Sequence, residues 1–246
     1  MTKPRGDGRE AMDKAKPRVR GWPPTKCVIL ALVAAISAVG CVSGPKSSKP
    51  DSRGPGHGQV PGGSVAEYAA TVKANAQRSD HESDGKVRAD LAAQSSSAAD
   101  ACLALDPKAA ACQYSKAVAT GMEARAHPTH AVGLLNSMLQ SLDNADSADP
   151  NYDKAGPSRV RALVLIRAPG WPLGPGDTDA GLAAARRAVA LQPDYPANVL
   201  ALAEALSKTG DEQGAHENYA HARDLAQALP PGPERDGWLR DANEGL

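Results

Sequence analysis

Val199-Leu-Ala-Leu-Ala-Glu-Ala-Leu206, then Gly210, then Ala215-His-Glu-Asn-Tyr-Ala-His-Ala222 is the stretch from which the rest of the chain is read. Val199, Leu202, Ala203 and Leu206 recur at i, i+3, i+4 and i+7, which places them on one face of a helix. Gly210 stands where a left-handed residue would end that helix. Ala215, Tyr219 and Ala222 then form the face of a second helix. Ala203 and Ala215 have almost no side chain, so the two helices can approach closely. The stretch predicts a helical hairpin.

The hairpin is not alone. Ala99-Asp-Ala-Cys-Leu-Ala-Leu-Asp-Pro107, Leu142-Asp-Asn-Ala-Asp-Ser-Ala-Asp-Pro150 and Ala185-Arg-Arg-Ala-Val-Ala-Leu-Gln-Pro193 end alike, with their prolines 43 residues apart, and Pro230 follows after 37. Proline cannot continue a helix, so each marks a stop. About forty residues between stops leaves room for two helices and two turns. Helix pairs are predicted over 64–107, 108–150 and 151–193, with the quoted hairpin as the fourth. Ser64-Val-Ala-Glu67 has the spacing of a capping box. The second pair breaks at His127-Pro128. The third carries Val160, Leu163 and Val164, then Leu182, Ala185 and Val189. A last helix near 233–244 would use Trp238 and Leu239 to cover the end of the stack, as solenoids require.

Composition agrees. The 246 residues include no Phe and only 3% aromatics. That is too few to fill the faces of a β-sandwich or barrel, whereas the abundant alanine is the best helix former. The fold class read from the sequence is all-α, an α-solenoid of about four helical hairpins plus a C-terminal capping helix. The spacing resembles that of tetratricopeptide (TPR) repeats. Those ask for large, large, small, large on the first helix and small, large, small on the second, and Val199 to Ala222 follow that order. The period of 43 exceeds the 34 of a TPR, so loops or helices are extended.

Residues 1–40 carry eight basic and three acidic side chains, a net of +5, which leaves −5 on the rest of a formally neutral chain. An acidic body argues against nucleic-acid binding. Cys27 to Gly40 contains no charge and falls short of the ~20 apolar residues that span a bilayer. With a basic segment before it, the run reads as a secretory signal, starting at Met1 or at Met12. Ser37-Ala-Val-Gly-Cys41 resembles a bacterial lipobox, although Ala38 stands where Leu is usual. The resemblance implies cleavage before Cys41 and a diacylglyceryl group on its thiol; the alternative is an ordinary cleaved signal with Cys41 incidental. Val42 in place of Asp lacks the usual retention signal for the inner membrane and points to the outer one. Gly, Pro and Ser make up fourteen of the 22 residues from Val42 to Gly63, a composition that acts as a tether rather than a core. The expected organisation is a signal over 1–40, a tether over 41–63 and a helical domain over 64–246.

Arg167-Ala-Pro-Gly-Trp-Pro-Leu-Gly-Pro-Gly-Asp177 interrupts the third pair. Three Pro and three Gly in eleven residues cannot be helical. This loop follows Asp153-Lys-Ala-Gly-Pro-Ser-Arg-Val160 and precedes a helix ending Leu191-Gln-Pro-Asp-Tyr-Pro196. Together they resemble the T component of TPR-associated TRAP transporters, lipoproteins that work with a periplasmic solute-binding subunit. The resemblance spans roughly 90–228 and implies export to the periplasm, a homo-oligomer (trimers in that family) and a channel or groove in each protomer. The function expected from it is a lipid-anchored periplasmic binding protein that docks a solute-binding protein. The alternative is an outer-membrane scaffold for envelope assembly or secretion machinery. The partner-binding candidates are Arg159, Arg167, Trp171 and Leu173. Trp171 either stands out as an exposed anchor or, the commoner fate, folds back to plug the end of a helix pair. Arg159 and Arg167 either hold an anionic partner, lie on a solvated face, or pair with Asp177 or Asp179.

Cys102 and Cys112 lie five residues before and after Pro107. A hairpin turning there would bring them level, as a disulfide in an exported protein or as two buried thiols. Neither the His127/His130 nor the His216/His221 spacing matches HExxH, and no nucleotide glycine loop follows a strand. Asp143, Asp146 and Asp149 read as a solvated face, without the Gly and distal Glu of a calcium loop. No catalytic residue, cofactor or metal is expected.

Overall fold

The computed structural model describes residues 62–246. The expected signal, the lipidation site Cys41 and the tether up to residue 61 lie outside the described residues. The described residues form nine α-helices: α1 Val65–Asp80, α2 Gly85–Leu105, α3 Ala110–Ala126, α4 Ala131–Ala148, α5 Tyr152–Arg167, α6 Thr178–Leu191, α7 Pro196–Lys208, α8 Glu212–Gln227 and α9 Pro233–Gly245. A short 3-10 turn, Pro128–His130, links α3 to α4. The predicted helix pairs and the terminal helix are all present.

Several helices start or stop for a local reason. At α1 the capping box forms, with the Glu67 N–H donating to Ser64 Oγ at 3.3 Å and the Ser64 N–H donating to Glu67 Oε2 at 2.7 Å. Asp84, Asp177 and Asp211 cap α2, α6 and α8 with their carboxylates. Such caps are each worth about 1 kcal/mol. Gly210 ends α7 at φ +87°, the left-handed conformation glycine tolerates best. There the Asp211 N–H donates to the Leu206 carbonyl and the Gly210 N–H to that of Ser207, a Schellman end.

Successive helices pack side by side, and the first helices of successive pairs also touch, α1 on α3, α5 on α7 and α7 on α9. Alanine makes this closeness work. Ala99, Ala117, Ala162, Ala185, Ala203 and Ala222 are all fully buried, so backbones meet with little side chain between them. Larger plugs fill the remaining space. Val72, Leu91, Met122, Met138 and Leu142 lie in the core shared by α1 to α4. Trp238 and Leu239 close the far end against Tyr195, Ala197 and Ala226, as the capping reading expected.

Candidate functional site

The loop between α5 and α6 is closed by its own backbone. The Asp177 N–H donates to the Leu165 carbonyl at 2.9 Å, and the Gly176 N–H donates to that of Pro169 at 2.9 Å. The Leu173 and Gly174 N–H groups share the Gly170 carbonyl at 3.0 and 3.2 Å. Two glycines permit this closeness. A Cβ on Gly176 would lie 2.1 Å from the Ala168 carbonyl oxygen, and one on Gly174 would lie 2.6 Å from that of Pro169. Asp177 then caps α6 through the Ala180 N–H at 2.9 Å, so both ends of the loop are pinned. The Trp171–Pro172 peptide is cis.

This closure decides the fate of the tip. Trp171 is 90% exposed and Leu173 72% exposed. Trp171 does not fold back to plug a helix pair, because the loop satisfies its polar backbone internally and turns the 171–173 side chains outward. Two large apolar groups stand on a fixed backbone, where ordering costs on binding are low.

Both arginines form ion pairs within the protein, with partners other than Asp177 and Asp179. Arg159 is fully buried. Its Nη2 donates to Asp153 Oδ2 at 3.0 Å, and its Nη1 to the carbonyls of Asp153 and Lys154 at 3.2 and 3.0 Å and to Asn198 Oδ1 at 3.0 Å. Tyr195 lies against its guanidinium, 5.2 Å from ring centroid to Cζ, a cation–π contact. Arg159 therefore meets no outside anion; it ties α5 to α7. Arg167 grips Glu204 by two bonds, Nε to Oε1 at 2.8 Å and Nη2 to Oε2 at 2.6 Å. Neither arginine pairs with Asp177 or Asp179. Of the four candidates, Trp171 and Leu173 are exposed, Arg159 is buried and Arg167 is part-buried in its pair with Glu204.

Arg159 also answers an unusual backbone. Asp153, Lys154 and Ala155 run at φ +48°, +57° and +60°, where L-residues cost roughly 1–2 kcal/mol each. Pro157 then opens the regular part of α5, its fixed φ suited to a first helical position. The carbonyls turned inward by this segment are those that Arg159 Nη1 and Asn198 Nδ2 bind. Asn198 Nδ2 also donates to the Ala188 and Gln192 carbonyls, so one buried amide joins α5, α6 and α7.

A groove of about 530 Å³ opens beside this junction. Val65, Ala66, Ala69 and Val72 of α1 face Ala111 and Val118 of α3, while Tyr114, Tyr152 and Asp153 form its polar end and Lys73 stands on its wall. The Tyr114 hydroxyl donates to Asp153 Oδ2 at 3.1 Å. Burial, reinforced by the Asp153 charge, pushes this hydroxyl well above its ordinary pKa, so it stays a neutral donor. The groove is open and apolar, and sequence reasoning did not locate it. Its long walls are Ala and Val of α1 and α3, closed at one end by Tyr152 and Asp153 of α5, and residues so spread over three helices carry no local signal.

Cys102 and Cys112 are joined by a disulfide that ties α2 to α3 across the turn at 106–109, with Cα atoms 5.2 Å apart. Asp143 pairs with Arg161, and Asp146 binds Arg187 and Ser158. Among the described residues no group of three or more His, Cys, Asp or Glu side chains is arranged to hold a metal ion. No helix among them is long and apolar enough to cross a membrane.

No protein-family model matches the chain, and no curated protein matches it. Among solved structures it is similar to a thermophilic TPR protein of Thermus thermophilus. The two are 22% identical, the match covers 73% of this chain and 92% of that one, and the TM-score is 0.48.

Proposed function

We propose that this chain is a non-catalytic binding protein, anchored by a lipid on Cys41 and facing the periplasm, that docks a solute-binding protein of a TRAP-type transporter. The observation that supports docking is the closed loop at 168–177. It holds Trp171 and Leu173 outward on a backbone with no slack. Rigid aromatic residues standing clear of the surface are the type that dominates binding energy at protein interfaces. The class of partner comes from the sequence resemblance to the T component. The open groove between α1 and α3 suits a second task in the same reading, holding an apolar ligand on its way to or from the docked subunit.

The test is affinity capture from periplasmic extract of the source cells. The immobilised chain should retain a solute-binding protein, and Trp171→Ala with Leu173→Ala should release it while leaving helicity unchanged. Retention of envelope assembly or secretion proteins in its place would remove the transporter reading in favour of the scaffold.

A further inference from the structure

The apolar groove between α1 and α3, about 530 Å³ in volume, has the size of a small-ligand site. Its polar chemistry is one-sided. Lys73 of α1 and Tyr152 of α5 line it beside the alanines and valines. Lys73 is half-buried, and the residues three and four positions from it are Ala69, Ala70, Ala76 and Gln77. No carboxylate therefore neighbours it on its own helix, and it forms no ion pair among the described residues.

The carboxylate that lines the groove is already taken inside the protein. Asp153 pairs with the buried Arg159 at 3.0 Å and accepts the Tyr114 hydroxyl at 3.1 Å. Ser115, also on the wall, donates to the Ala111 carbonyl at 2.7 Å. The Tyr152 hydroxyl has no hydrogen-bond partner among the described residues. Burial, with the Asp153 and Asp149 charges adding to it, raises that hydroxyl above its ordinary pKa, so it stays a neutral donor. The apolar walls thus carry an unpaired cation and an unpaired donor, and the anion beside them is neutralised.

These features select a ligand. A carboxylate would complete the Lys73 ammonium, and a bond between two charged groups is roughly twice as strong as one between neutral groups. An alkyl chain behind that carboxylate would cover the alanine and valine walls and ask for no hydrogen bond. A peptide would instead bring N–H groups into a groove whose carboxylate is already engaged, and burying them unpaired costs free energy. We propose that the groove binds an amphipathic carboxylate of the fatty-acid class, with its chain between α1 and α3 and its carboxylate on Lys73. Such a ligand gives a chemical identity to the holding task proposed above and rests on that task. It does not rest on the docking tip, because no residue of the 168–177 loop lines the groove.

The test titrates the purified chain, kept free of attached lipid by Cys41→Ser, with octanoate, decanoate and dodecanoate in a calorimeter, beside decanol and decylammonium. The carboxylates should bind saturably and tighten with chain length, by up to about fourfold per methylene. Decanol should bind roughly five- to tenfold more weakly than decanoate, and decylammonium more weakly still. Lys73→Gln should bring decanoate to the level of decanol and leave decanol unchanged, whereas Lys73→Arg should keep the preference. In a carbon–proton NMR spectrum the methyl signals of Ala66, Ala69 and Ala111 should move on titration and those of Ala180 and Ala183 should not. Trp171→Ala with Leu173→Ala should leave decanoate binding unchanged, so failure to hold a carboxylate and failure to dock a protein are separate results. Equal binding of decanoate and decanol, an unchanged preference in Lys73→Gln, methyl shifts away from the groove, or no binding at all would each overturn the proposal.

Discussion

Arg159 meets the carboxylate of Asp153 at 3.0 Å, with the guanidinium fully enclosed. The two are six residues apart, and only the left-handed run from Asp153 to Ala155 brings the acid back over the helix that carries the base. Its bonds to the Asp153 carboxylate and to the Asp153 and Lys154 carbonyls pin the segment beside the groove, and those to Asn198 and Tyr195 tie it to α7.

Arg159→Met should therefore be severe. It would leave Asp153 without its cation and the Asp153 and Lys154 carbonyls without the donor that Arg159 supplies. Breaking one side of a buried pair costs about 3–5 kcal/mol. Urea unfolding should show a loss of that size with unchanged denaturant slope. A loss under about 1 kcal/mol would mean that the left-handed segment does not depend on this arginine.

Two glycines should behave oppositely when changed to alanine. On α6, a Cβ at Gly181 would lie 2.5 Å from Ile166 Cγ2 and 3.3 Å from the Ala162 carbonyl oxygen. Overpacking there should cost about 1–3 kcal/mol. On α4, a Cβ at Gly133 would meet nothing within 4 Å, so Gly133→Ala should stabilise by about 0.5–1 kcal/mol. Thermal unfolding of the two variants checks the sign of each.

The Cys102–Cys112 bridge spans ten positions of chain. Closing so short a loop should contribute about 2–3 kcal/mol through the unfolded state. Reduction should then lower Tm by roughly 4–12 °C for a domain of this size. Equal Tm with and without reductant, in a sample whose thiols titrate only after reduction, would contradict that.

Asp80 and Asp241 should make the protein tolerant of mild acid. Burial raises both above the ordinary value of 3.8. A carboxyl whose folded pKa exceeds its unfolded pKa binds protons more tightly when folded. Its contribution is therefore most favourable below the unfolded value and declines as pH rises through the folded one. Asp241→Asn should raise stability at pH 7 by a few tenths of a kcal/mol, a small gain because solvent screens a side chain 41% exposed. The gain should vanish near pH 3, where both forms are neutral. A larger gain at pH 3 than at pH 7 would contradict the sign.

The helices are legible in the sequence because their causes are local. Val199 to Leu206 repeat at helical spacing, Gly210 ends the run, and Pro107, Pro150 and Pro193 keep a constant distance. The loop is legible as a loop for the same reason, since its glycines and prolines forbid helix. The exposure of Trp171 is not, because it depends on which carbonyls the loop's own N–H groups find. The sequence leaves Arg159 open between an anionic partner, a solvated face and an ion pair with Asp177 or Asp179; it is enclosed and paired with Asp153. Its partner is delivered by three non-glycine residues in a left-handed conformation, and nothing in Asp-Lys-Ala announces that. Asn198, 39 positions further on, helps to hold them there. The groove depends on residues spread over several helices, so periodicity places its walls on buried faces without showing which faces stand apart.

The docking reading is tested most directly by a photo-crosslinking amino acid placed at position 171 in the source cells, with a control at Leu105, which is 57% exposed. Illumination should join position 171, but not 105, to a single periplasmic solute-binding protein, and Leu173→Ala should weaken the product. Crosslinks from 171 to envelope assembly proteins, or the same products from both positions, would contradict the account.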